Sequence, residues 1–175
     1  TDALVNNYLD MVTATDGSPL SLIVPNDAGA QTFPLIAATL KQMEGHLYDL
    51  AVLVSTISAK QIHLQARGVI ATPLGSLEID EQLGKKLISK LPGSKALKLG
   101  LTKESNLVED KFTVLAAFLK QVAPYTKVLP VLLPANSIKK ALNLGSILAE
   151  VLQEKNAVVI AQADLDQTLL AALEF

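Results

Sequence analysis

The sequence predicts a single α/β domain over residues 1–175, with a mainly parallel sheet covered by helices on both faces. Three observations predict it. Apolar runs recur at Leu20–Val24, Tyr48–Val54, Lys127–Leu133 and Ala157–Ala161, and the last, mostly β-branched, reads as a strand buried on both faces. Segments with helical spacing separate these runs, which implies right-handed β-α-β crossovers. Half the residues are apolar and only 18% are charged, so a covered central sheet is needed to hide them.

The elements follow in order. Ala3–Val12 predicts a short helix with Val5, Tyr8, Leu9 and Val12 on one face. Asp16-Gly-Ser-Pro19 is a turn signal before the strand Leu20–Val24. A helix is expected from Phe33 to Glu44, with Pro34 in its first turn and Gly45 at its end. After the Tyr48–Val54 strand, Ser55-Thr-Ile-Ser58 reads as a strand-end loop. Ile62–Ala66 and Val69–Ala71 are expected to pair beside the main sheet. Asp80 is placed to cap a helix to Ser89. Ala96–Leu101 reads as a peripheral strand, and Glu104–Val122 as a helix with Val108, Phe112, Leu115, Ala116, Leu119 and Val122 inward.

Pro130 assigns the Lys127–Leu133 strand to an edge or a bulge. Ser137 is expected to cap a helix to Glu154 that turns Ile138, Leu142, Ile147, Leu148, Val151 and Leu152 inward. The strand from Ala157 ends in the acidic turn Asp164-Leu-Asp-Gln167, and a last helix follows from about Gln167. Ligands of open α/β sheets sit outside the carboxyl ends of the strands, which makes this turn the expected edge of a site.

Composition narrows the function. A formal net charge of −2 gives no electrostatic case for nucleic acid. The cluster Lys85, Lys86, Lys90, Lys95 and Lys98 has no interleaved aromatics and reads as a solvated face. No apolar run approaches the roughly 18 residues of a membrane span. With no cysteine, disulfides, thiolate metal ligands and a cysteine nucleophile are excluded. The chain opens at Thr1 rather than Met. The default compartment is the cytoplasm, with a removed N-terminal targeting segment as the alternative.

Five stretches, in order, carry a family resemblance. Ala71-Thr-Pro-Leu-Gly-Ser-Leu-Glu-Ile-Asp80 resembles a T-P-L-G segment followed by an acidic residue that starts a helix. Pro25-Asn-Asp-Ala-Gly29 is similar to P-H-A-G, and Val52-Leu-Val-Ser-Thr-Ile-Ser58 stands where a strand ends in G-P-S-H. Ala116-Ala-Phe-Leu119 and Lys127-Val-Leu-Pro-Val-Leu-Leu133 resemble L-P-F-L and a strand I-V-P-I-L-V. Ala163-Asp-Leu-Asp-Gln167 resembles S-D-L-S-H. These are segments of the Memo family, protein B of the AmmeMemoRadiSam system. The resemblance runs from Leu20 to Phe175 and implies a fold like that of the class III extradiol dioxygenases.

The same comparison implies a changed site. The family builds its site from histidines and a cysteine. Here the P-H-A-G histidine falls on Asp27, or on Asn26 with another gap, and the G-P-S-H histidine on Ser58. The histidine of E-H-S-L-E falls near Asp110, and that of S-D-L-S-H on Gln167. The cysteine-bearing tail is absent from the sequence, and Asp164 alone keeps a family identity. The candidate strand-end site is therefore Asp27, Ser58, Asp110, Asp164 and Gln167.

Each feature also has a structural reading. Redox metals favour imidazole or thiolate, and only His46 and His63 are available, both read as structural or solvated. Asp27, Asp110 and Asp164 form an alternative set for Mg²⁺ or Mn²⁺. Against it, Asp27 and Asp166 suit helix caps, Asp110 a solvated helix face, and Asp164 an acceptor of backbone N–H groups. Ser55 and Ser58 lie at a strand end without a G-x-S-x-G motif or a histidine placed to activate them. Lys60 offers an unsupported Ser–Lys pairing. The Asp-Ala-Gly loop lacks the glycine pattern and lysine of phosphate-binding loops.

The sequence thus implies a non-catalytic Memo-like interaction or structural subunit without a cofactor, working with a protein partner or a second copy of itself. The alternative is a metal-dependent enzyme or small-molecule-binding protein with an altered carboxylate site.

Overall fold

A computed structural model describes residues 2–14, 17–26, 29, 31–97 and 103–164, without the side chains of 103–107, 109 and 110. Along the chain run α1 (Asp2–Asp10), β1 (Ser21–Pro25), α2 (Phe33–Lys41), β2 (Leu50–Ile57), β3 (His63–Leu64), β4 (Val69–Thr72) and β5 (Gly75–Glu78). Then come α3 (Glu81–Lys90), β6 (Lys95–Ala96), α4 (Lys103–Val122), β7 (Lys127–Pro134), α5 (Ile138–Val151) and β8 (Ala157–Ala163). Six strands form one sheet in the order β1-β8-β2-β7-β3-β6. β1, β8, β2 and β7 are parallel; β3 turns antiparallel to β7 and carries β6 alongside it. Helices flank the sheet: α1, α2 and α4 pack together, as do α3 and α5. The predicted α/β class is the observed one. No helix among the described residues is long and apolar enough to cross a membrane.

The core lies between α2, α4 and the sheet. Ile36, Leu40, Phe112, Leu115 and Phe118 of the helices are buried in one cluster with the paired strand residues Leu53 and Ile160. Phe33 links two neighbours by edge-on ring contacts, to Tyr8 at 5.9 Å and to Phe118 at 5.8 Å.

Several sequence expectations change, those in the sheet because strand pairing overrides a local signal. β2 runs on through Ser55, Thr56 and Ile57 because β7 accompanies it, pairing Ser55 with Leu132 and Ile57 with Pro134. β3 does not pair with β4. β4 instead folds back on β5 around Thr72-Pro-Leu-Gly75, where the Thr72 hydroxyl accepts from the Leu74 N–H and donates to the Gly75 carbonyl. Gly75 takes a φ of 115°, which a side chain would oppose.

β7 is interior, between β2 and β3, despite Pro130. The Pro130 carbonyl accepts from Gln65 N, so its missing N–H also faces β3, which pairs only with Val131 and Leu132. In α5, Ile138 and Leu142 are exposed, and Leu144, Leu148 and Val151 make the buried face. Ser137 takes the N-cap position without a side-chain capping bond. The helix expected from Gln167, and the strand residues after Leu97, lie outside the described residues.

Asp80 caps α3 as the sequence predicts, accepting from Leu83 N at 2.9 Å. Lys155 closes on its other oxygen at 3.1 Å. Burial alone pushes this carboxyl up. The Leu83 N–H and the Lys155 and Lys127 ammonium groups outweigh burial and hold it below the usual value. A depressed folded value means that Asp80 stabilises the fold above the unfolded pKa of about 3.9 and loses that contribution as pH falls through the folded value. Asp80→Ala is expected to cost about 1–2 kcal/mol at neutral pH by losing the cap. Chemical denaturation of both proteins at neutral pH and again near pH 3 checks it: the gap narrows in acid.

Candidate functional site

The carboxyl ends of β1, β8 and β2 meet at one end of the sheet, and the start of β3 joins them from the other side of β7. Cross-strand partners point to the same face of a sheet. Ser55 and His63 both pair with Leu132, so the two side chains flank it on one face. Gln162 pairs with Val24, and it follows the last β2–β8 pair, Val54 with Ala161, just as Ser55 does. Ser55, His63 and Gln162 therefore form one row of buried polar residues across the strand ends. Gln162 fixes α4 over this row: its Nε2 donates to the Lys111 carbonyl at 3.0 Å.

Above the row is a cleft of about 500 Å³. Its polar lining is Asn26, Thr56, Ser58, His63, Lys111 and Asp164, and its apolar lining is Ile57, Ala59 and Ala135. Asn26 is the hub. Its backbone N–H donates to the Ala163 carbonyl at 2.8 Å, which fastens the end of β1 to β8. Its Nδ2 donates to Asp164 Oδ1 at 2.8 Å. Its Oδ1 accepts from Ser55 Oγ at 3.1 Å and from Lys111 Nζ at 3.4 Å. The amide thus stands between an ammonium and a carboxylate, and Lys111 and Asp164 form no direct ion pair among the described residues.

Of the five candidate residues, Ser58 and Asp164 line this cleft. Asp27, Gln167 and the side chain of Asp110 lie outside the described residues. Asp164 was expected to accept from backbone N–H groups; the partner it has is the Asn26 amide, because β1 ends directly beside β8. His63, read as structural or solvated, is buried between β7 and β6 and faces the cleft. His46 sits before β2, away from this end, with Ser18 Oγ 3.1 Å from its Nδ1. Among the described residues no three His, Asp or Glu side chains stand close enough to share a metal ion.

Lys111 is the residue that sequence reasoning missed. A signal existed: it falls inside the stripe Val108, Phe112 and Leu115, where a lysine interrupts an otherwise apolar face. A charge at such a position needs a polar neighbour, and the strand-end row supplies one.

A family model for the Memo-like protein matches residues 6–168. The chain belongs to the Memo-like family. A distant relative, a MEMO1 family protein of Caldivirga maquilingensis, is 27% identical over 105 residues. That match takes in 59% of this chain and 36% of the relative, so the chain spans little more than a third of that protein's length. The Memo-like fold accounts for the position of the cleft, at the ends of the central parallel strands. This Memo-like chain furnishes the cleft with an asparagine hub, an ammonium and a single described carboxylate.

Proposed function

We propose that this chain is a Memo-like domain whose strand-end cleft works without a metal, as a non-catalytic binding subunit. One observation carries the reading: the Lys111 ammonium reaches Asn26 Oδ1 inside the network that ends on Asp164. The described residues do not fit a redox metal. Such an ion prefers imidazole or thiolate, and the cleft offers one buried imidazole and one carboxylate among amide and hydroxyl groups. A fixed ammonium also repels a cation. At 4 Å and an effective dielectric near 20, each unit of metal charge meets roughly 4 kcal/mol of repulsion.

Lys111 does instead what a metal would do electrostatically, since it balances the Asp164 carboxylate through the amide. The binding role extends to a protein partner or a second copy of the chain. The exposed apolar pair Ile138 and Leu142, one turn apart on α5, supports that part of the reading.

Equilibrium dialysis of chelator-treated protein against Mn²⁺, Fe²⁺ and Zn²⁺ tests it. The reading expects uptake well below one ion per chain. Uptake of one ion per chain that disappears in Asp164→Ala overturns it.

A further inference from the structure

The charges of the cleft specify what it binds. Among the described residues Lys111 donates once, in a 3.4 Å contact to Asn26, of the three N–H groups an ammonium carries. Asp164 accepts through Oδ1 from Asn26 and is exposed, and among the described residues its Oδ2 has no hydrogen-bond partner. Both groups line the same cleft, and among the described residues no direct ion pair joins them. Ser55, buried behind them, locks the orientation of the hub by donating to Asn26 Oδ1. That leaves Nδ2 for the carboxylate, so the amide holds the two charges at a fixed spacing.

A ligand bearing only negative charge would meet Asp164, and one bearing only positive charge would meet Lys111. A ligand with both, at short separation, satisfies each. Ammonium and carboxylate are bridged by one amide through contacts of 3.4 and 2.8 Å, so both lie within reach of one small ligand. The volume of about 500 Å³ lies within the usual range for small-molecule sites, and the apolar residues Ile57, Ala59 and Ala135 leave room for a short side chain. We propose that the cleft binds a small zwitterion of the α-amino-acid class, its carboxylate on Lys111 and its ammonium on Asp164. This rests on the metal-free reading above and names its ligand class.

Thermal unfolding of the full chain tests the proposal. The probe is a millimolar mixture of the protein amino acids, then each amino acid alone, then its N-acetyl and amide forms. At least one free amino acid is expected to raise the melting temperature, and its two capped forms to lose the shift. Lys111→Met and Asp164→Asn are each expected to weaken binding tenfold or more. Asp164 is exposed, so its variant keeps the fold even if Lys111→Met does not. No shift from the mixture, an equal shift from a capped form, or an unchanged shift in Asp164→Asn overturns the ligand class. Failure of the mixture together with absent metal uptake leaves the metal-free reading standing, whereas metal uptake in dialysis overturns both.

Discussion

Phe112→Ala is expected to cost about 3–5 kcal/mol, the range for emptying a fully buried aromatic site. Phe112 has no exposed surface and stands in α4 where the helix meets the sheet. Its neighbours are anchored by strands and cannot collapse far into the space, so both the lost transfer energy and the cavity count against the fold. For a chain of this size each kcal/mol moves the melting temperature by about 2–4 °C, so a fall of roughly 10 °C is expected. The control is Ile138→Ala. Helical spacing alone turns Ile138 inward, but it is 80% exposed, so its loss is expected to change stability by no more than about 0.5 kcal/mol. Calorimetry of the two variants separates the buried face of α4 from the open face of α5.

Lys111→Glu is expected to convert the cleft into a divalent cation site. The substitution removes the ammonium at the Asn26 amide and sets a second carboxylate near Asp164, with Thr56 and Ser58 hydroxyls on the same wall. Oxygen donors of this kind suit Mg²⁺ or Mn²⁺. Without metal the two carboxylates repel, and the variant is expected to be less stable than the parent at neutral pH and to regain stability in mild acid. With metal at a hundred times its dissociation constant, stabilisation of about 2.7 kcal/mol follows from mass action. Melting curves with and without Mn²⁺ check it: the variant shifts and the parent does not. Equal behaviour of the two proteins would remove Lys111 from its place in the argument.

Much of the fold was legible because its signals are local. The apolar runs that became β1, β2, β7 and β8 are legible as strands, and Asp80 announces α3 by spacing alone. What was not legible depends on partners distant in sequence. Ser55 and Thr56 look like loop residues until β7 lies beside them. Pro130 looks like an edge residue until β3 turns out to be only two residues long.

The site divides the same way. Asp164 was found because it directly follows a buried strand. Asn26 entered only as the alternative to Asp27, and its role comes from contacts 29, 85 and 138 residues away. The family resemblance pointed to the end of the sheet where this cleft lies, because strand-end geometry persists when the residues on it change. It could not reveal Lys111, which stands beside the position where a histidine is aligned and reaches the cleft only through the packing of α4 on β8.

The claim that this cleft works without a metal is tested most directly by elemental analysis of protein purified from its native source without chelators. The account predicts metal far below one ion per chain, with Lys111 left to balance Asp164. Near-stoichiometric metal that is lost from Asp164→Ala would contradict it and would make the strand-end carboxylates a metal centre.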